Sequence, residues 1–188
     1  MKRIAIFASG SGTNAQNIIQ YFQSNGKAEI VYVLSNKRKA KVLERAINHN
    51  VKALCFDRES FYESDEVLNI LLDAELDLIV LAGFLWKFPE NIINAFPDKV
   101  INVHPALLPK YGGKGMYGMN VHNAVVENNE TESGITIHYV NENYDEGAII
   151  FQASTAVEVH HTPEDVAANI HKLEYEHFPK VIEGLLEG

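Results

Sequence analysis

The chain alternates between two kinds of apolar pattern. Short runs in which most positions are apolar, Arg3–Ser9, Ala28–Leu34, Val51–Phe56, Asp77–Ala82 and Val100–Val103, have the length and content of strands buried on both faces. Between them, apolar residues three and four apart predict helices. These are Ala15–Ser24 with Ile18, Ile19 and Phe22 on one side, Ala40–Asn48, Asp65–Leu76 with Val67, Ile70 and Leu71 inward, and Pro89–Phe96 opened by its proline. Asp57–Glu63 reads as a polar loop. Strands and helices in regular succession imply a parallel sheet with right-handed crossovers.

After His104 the pattern changes. Pro109–Gly118 holds Gly112, Gly113, Gly115 and Gly118 and reads as a mobile loop. Met119–Glu127 is helical. Ser133–Val140 alternates as a strand, Asn141–Gly147 is a polar turn, and Ala148–Ala153 returns, making a hairpin with a long loop. Thr162-Pro163-Glu164-Asp165 opens a last helix with a cap residue, a first-turn proline and two acids at the positive dipole end. It runs toward Leu186, with a kink expected at Pro179. The fold class is therefore α/β: a single-domain, doubly wound, Rossmann-like and mostly parallel sheet with an antiparallel C-terminal hairpin and a long C-terminal helix.

Charge narrows the partners. A net charge of −9 gives no basic stripe for a nucleic acid, so none is expected, and an anionic ligand would have to be met locally by backbone amides. The single cysteine, Cys55, lies in an apolar run; it forms no intramolecular disulfide and is expected to pack in the core. No signal peptide precedes the first strand and no apolar run reaches ~18 residues, so a cytoplasmic protein without a membrane partner is expected.

Two stretches carry chemistry. Ser9-Gly10-Ser11-Gly12-Thr13-Asn14 joins a strand to a helix; glycines admit an anion to the backbone, and the helix start offers free amides. Gly10, Gly12 and Ala15 satisfy a loose dinucleotide fingerprint, but the second strand ends in Ser35-Asn36-Lys37-Arg38, without the acid that would hold a ribose. A phosphomonoester is preferred, with a tight turn that binds nothing as the remaining alternative. In Ile101-Asn102-Val103-His104-Pro105, Asn102 and His104 share one strand face, and Pro105 stops the pairing beyond them. A hydrogen-bond donor beside a titratable ring at a strand's carboxyl end has the makings of an active site. The aromatic loop Gly83–Pro89 ends another strand and could receive a flat apolar ligand, though Trp86 and Phe88 read equally well as core or surface.

Asn102-x-His104-Pro105-x-Leu107-Leu108-Pro109 resembles the signature of the folate-dependent formyltransferases. Ser9–Asn14, Leu34-Ser35-Asn36, Leu81-Ala82-Gly83-Phe84, Gly134-x-Thr136-x-His138 and Asp145-x-Gly147 follow the family's order over essentially the whole chain, most closely as in the members that formylate glycinamide ribonucleotide. The resemblance implies that the substrate amine attacks the formyl carbon of 10-formyltetrahydrofolate, a co-substrate, with no metal and no covalent intermediate. Asn102 would hydrogen-bond the developing oxyanion and His104 would move protons. Asp145 would favour protonated His104 by its charge and through a bound water. Gly12, Thr13 and Asn14 would cradle the substrate phosphate. Glu174, with His171, Lys172 and Leu173 in the same segment, would meet the ribonucleotide. Leu85, Trp86, Lys87 and Phe88, the loop Asn141, Glu142, Asn143, Tyr144 and Asp145, and Arg58 near the folate tail would form the folate side, to which Asn102 also belongs. This divides the single domain into a phosphate-binding half, about residues 1–100, and a catalytic and folate half, about 101–188, in a monomer or homodimer.

The chain departs from the commonest family pattern after Tyr111, where Gly112–His122 replaces a shorter loop and suggests a different closing segment over the substrate. Glu146 stands where glycine is common. Two other readings are carried. A formyltetrahydrofolate hydrolase would use the same three residues with water as nucleophile; its extra N-terminal domain is not expected here. A noncatalytic nucleotide-binding module would use the glycine turn and have no need of Asn102 or His104. A tRNA-formylating relative would need a further domain and a basic surface.

Overall fold

The computed structural model describes every residue from Met1 to Gly188. Strands β1 (Lys2–Phe7), β2 (Ala28–Ser35), β3 (Lys52–Cys55), β4 (Leu78–Leu81) and β5 (Val100–His104) pair in parallel, and β6 (Glu132–Tyr139) and β7 (Ile149–Ala156) join antiparallel. The helices are α1 (Thr13–Asn25), α2 (Lys41–Asn48), α3 (Glu66–Asp73), α4 (Glu90–Ala95), α5 (Met119–Glu127) and α6 (Pro163–Glu187). The strand order is β3-β2-β1-β4-β5-β6-β7. The chain thus winds outward from β1 to β3 and returns to the other side of β1 to begin β4. Connections leave β1 and β4 in opposite directions, and a crevice opens at their carboxyl ends. The glycine-rich turn and the loop Gly83–Pro89 flank that crevice.

Both faces of the sheet are covered, as the unbroken apolar runs require. Ile4 and Ile6 of β1 pack with Ile18, Phe22, Ile170 and Phe178 on one face; Ala5 and Phe7 pack with Val67, Leu71 and Ile92 on the other. Helix α6 begins with a capping box, Thr162 and Asp165 exchanging hydrogen bonds, and buries Val166, Ile170, Glu174, Phe178 and Ile182. No helix is long and apolar enough to cross a membrane.

Three local expectations are corrected. Asp57–Glu63 is not a simple polar loop: Glu59–Glu63 forms a wide π-type turn that drives Phe61 to 1% exposure. Phe61 joins Phe7, Phe56, Phe84 and Phe88 in an aromatic cluster, with Phe56 and Phe61 centroids 4.7 Å apart. Its polar neighbours conceal that anchor in the sequence. Helix α3 is shorter than expected, and Ile70 is half-buried beside buried Val67 and Leu71. Cys55 is exposed, at the end of β3, which is the edge strand of the sheet. Helix α6 runs to Glu187 through buried Pro179, close to the end expected for it.

One glycine of the hairpin has no room for a side chain. A Cβ on Gly134 would run into the Ala153 carbonyl across the pair and lie 2.6 Å from a Leu107 methyl. Backbone cannot give way as a flexible side chain can, so Gly134→Ala is expected to destabilise the fold by about 2–3 kcal/mol, read as a lowered thermal midpoint. A midpoint unchanged from the parent chain would contradict that packing.

Candidate functional site

A cavity of about 730 Å³ opens at the carboxyl ends of β1, β4 and β5. One of its walls follows from strand parity. Asn102 and His104 of β5 lie opposite His138 and Thr136 of β6, so all four side chains share one face, while Ile101, Val103, Ile135 and Ile137 pack in the core on the other. Thr136 Oγ donates to the Ala106 carbonyl at 2.7 Å and accepts from the Leu108 amide at 3.0 Å. Those bonds fix the segment that leaves the strand just after His104.

The polar groups form a connected set. His138 Nδ1 donates to the Tyr139 carbonyl at 2.8 Å, so its Nε2 is free to accept from Asn102 Nδ2 at 3.1 Å. Asn102 keeps a second N–H, which the bond to His138 does not use. His104 Nε2 donates to the Tyr111 carbonyl at 2.7 Å, which leaves Nδ1 facing Asp145 Oδ2 at 3.5 Å. Asp145, with φ +57°, accepts from the Gly113 amide at 3.0 Å and lies 3.6 Å from His138 Nε2.

Burial lowers the His104 pKa, and the attraction of Asp145 does not restore it, so the resting ring is neutral rather than charged. Burial alone would raise Asp145, but His138, His104 and the Gly113 amide together hold it below its ordinary value. The site therefore pairs a neutral base with a fixed carboxylate.

At the other end lies the glycine-rich turn. Gly12 has φ +74°, and any Cβ there would collide with the Val42 side chain, so this position admits only glycine. Helix α1 begins at Thr13 with no acid in its first turn, which leaves its free amides and positive end available to an anion. Asn14 Nδ2 donates to Glu174 Oε2 at 2.8 Å, while Asn14 Oδ1 is buried without a partner. Glu174 is 5% exposed and also lies 3.1 Å from His171 Nδ1, which it pushes toward the charged form.

The third wall is the loop after β4. Ser9 ties it to the glycine turn: its amide donates to the Gly83 carbonyl at 3.0 Å, and its hydroxyl accepts from the Leu85 amide at 3.0 Å and donates to Asn36 Oδ1 at 2.7 Å. Leu85, Trp86, Lys87 and Phe88 line the cavity, as do Asn141, Asn143, Tyr144 and Asp145. Phe88 does so from the core, at 4% exposure. Glu142, Lys172 and Leu173 lie off the cavity wall. So does Arg58, whose guanidinium stacks 4.9 Å over the Trp86 ring at the rim.

Of the wall residues that were not among the sequence candidates, three polar ones stand out. His138 is one; its place opposite Asn102 follows from strand parity once β5 and β6 are paired. Ser9 is another, and its role depends on contacts no local pattern encodes. His122 is the third: it is 4% exposed, lines the cavity from α5 and has no partner for Nδ1. The unusual loop before it made any assignment from pattern unsafe.

Comparison with known proteins agrees with this geometry. The formyl transferase family model matches residues 2–182. A Haemophilus influenzae protein named phosphoribosylglycinamide formyltransferase is 37% identical, over 100% of this chain and 89% of its own. The chloroplastic phosphoribosylglycinamide formyltransferase of Arabidopsis thaliana is 35% identical over 99% of this chain, which spans 66% of that protein and 61% of its counterpart from Vigna unguiculata. The crystal structure of glycinamide ribonucleotide transformylase 1 from Symbiobacterium toebii superposes with a TM-score of 0.90 at 32% identity, covering 100% of this chain and 89% of the other.

Proposed function

The chain belongs to the formyl transferase family, and from that premise we propose that it transfers the formyl group of 10-formyltetrahydrofolate to the amine of glycinamide ribonucleotide, a step of purine biosynthesis. One observation carries the reading. Asn102, His104 and Asp145 converge on a cavity whose far end is a glycine turn at a helix start, in a chain similar to such enzymes along its full length.

The substrate phosphate sits on the amides of Gly12, Thr13 and Asn14, and buried Glu174 takes the ribose hydroxyls. Asn14 Oδ1, otherwise unpaired, supplies one more acceptor there. The reduced folate lies along Leu85–Phe88 and Asn141–Tyr144. Residues 1–100 thus anchor mainly the phosphate, and residues 101–188 supply mainly the chemistry.

The amine nitrogen bonds to the formyl carbon, and the carbonyl π pair moves onto oxygen. The spare N–H of Asn102 meets that oxyanion. His104 Nδ1 takes the proton the amine sheds, and Asp145 beside it stabilises the imidazolium. When the oxyanion collapses, the carbon–nitrogen bond to the folate breaks and the departing nitrogen takes the proton from His104. The exposed thiol of Cys55 suits a reducing, cytoplasmic setting.

The test is a spectrophotometric assay of folate turnover with and without the ribonucleotide. Turnover that requires the ribonucleotide supports the proposal. Turnover indifferent to it would identify a hydrolase, and phosphate-ligand binding without turnover would identify a binding module.

The pH profile follows from the burial of His104. Its pKa lies below the ordinary 6.5, so the neutral base is present at pH 7 and is lost as pH falls through the lowered value. The acid limb of kcat should therefore lie below pH 6.5. Asp145→Asn removes the group that opposes the lowering, so its limb should move to still lower pH. A limb that moved upward would contradict the assignment.

A further inference from the structure

Tyr111 is held in a backbone conformation that a bulky side chain rarely takes. Its φ is +56°, in a chain where most left-handed positions near the cavity are glycines. Something must hold it there, and the structure shows what. The Tyr111 hydroxyl donates to Glu130 Oε1 at 2.8 Å. Glu130 comes three residues after the end of helix α5, and its amide donates to the Val125 carbonyl at 3.2 Å, so its backbone is anchored to the helix end. Lys110 Nζ lies 3.1 Å from the same carboxylate on its exposed side. Neither Tyr111 nor Glu130 lines the cavity.

The backbone so held points its carbonyl at His104 Nε2, 2.7 Å away. A carbonyl only accepts, so Nε2 must carry the proton, and Nδ1 is bare toward Asp145 and the cavity. Were the carbonyl elsewhere, the neutral ring would place its proton on Nδ1, where it could donate to the Asp145 carboxylate 3.5 Å away. That tautomer has no free nitrogen toward Asp145 with which to accept a proton.

We propose that Tyr111, latched by Glu130, is a positioning residue that fixes His104 as its Nε2–H tautomer and so keeps Nδ1 available as the base. This rests on the role given to His104 above, but it makes a claim about the ring that needs no substrate to test.

The experiment is nitrogen NMR of the full chain labelled with 15N-histidine, at a pH where His104 is neutral, with the His104 signals identified by their loss in His104→Asn. The unaltered protein should show a protonated Nε2 and a bare Nδ1. Glu130→Ala and Tyr111→Phe should each give a mixed or reversed pattern, and Glu130→Gln, which keeps an acceptor for the hydroxyl, should restore the original one. The His138 signals should stay unchanged throughout, which separates the effect from general unfolding. In turnover, Glu130→Ala should lose on the order of tenfold in kcat with both KM values little changed. A protonated Nδ1 in the unaltered protein, or the original pattern in both disrupting variants, overturns the proposal. If the chain proved to bind its ligands without turnover, the tautomer result would still stand or fall by itself.

Discussion

Replacing His104 by asparagine is expected to lower turnover by a factor on the order of 10²–10⁴ while leaving both substrates bound. The ring is 3% exposed and sits in a neutral state, so no solvent base can readily replace it at the reacting nitrogen. Asparagine is smaller and polar, and its amide can still face the Tyr111 carbonyl, so the pocket should keep its shape. What it cannot do is accept a proton and carry the charge beside Asp145. The residual rate comes from Asn102 and from holding the two substrates together. The acid limb that reports His104 should also vanish from the profile. Steady-state kinetics between pH 5 and 9 check both points. Near-normal kcat, or an unchanged acid limb, would sink the role assigned to this residue.

The second large effect is expected at Asn102. Asn102→Asp keeps the volume but replaces a donor by an anion where negative charge develops, and it adds a carboxylate close to Asp145. A fall in kcat on the order of 10³ is expected, at the upper end of losses seen when one oxyanion donor is removed. Asn102→Ala, which removes the donor without adding charge, should fall about 10²-fold. The ordering matters more than either value. If alanine proved worse than aspartate, the side chain would be acting through packing or through His138 rather than on the oxyanion. Single-turnover measurements at saturating substrate separate these outcomes from changes in binding.

Much of this arrangement is legible in the residues themselves, and the boundary of legibility has physical causes. The two-residue step from Asn102 to His104 places both on one face wherever the strand lies, because side-chain parity in a strand is local. Gly12 is legible for a similar reason: the strand–turn–helix passage demands a left-handed residue there. Asp145 is different. It lies far along the chain, and the antiparallel turn from β6 to β7 brings it home, so resemblance to a family located it and periodicity did not. His138 needed the β5–β6 pairing to be known. Phe61 was hidden because ESFYESDE is locally polar, whereas its burial is decided by Phe7 on β1 and Phe88 in the loop after β4. Cys55 was misplaced because an apolar run does not reveal whether its strand lies at the centre or the edge of a sheet. The resting charge of His104 depends on how burial weighs against one carboxylate, which needs coordinates.

Helix α6 contributes Glu174 to the cavity wall and Val166, Ile170, Phe178 and Ile182 to the same core as Ile4 and Ile6 of the first strand. During synthesis this helix leaves the ribosome after all seven strands. Until it emerges, the large core cluster lacks its closing side and Asn14 lacks its partner. A chain in which α6 has yet to emerge thus has neither a closed core nor a complete cavity, and assembly of the site waits on this helix.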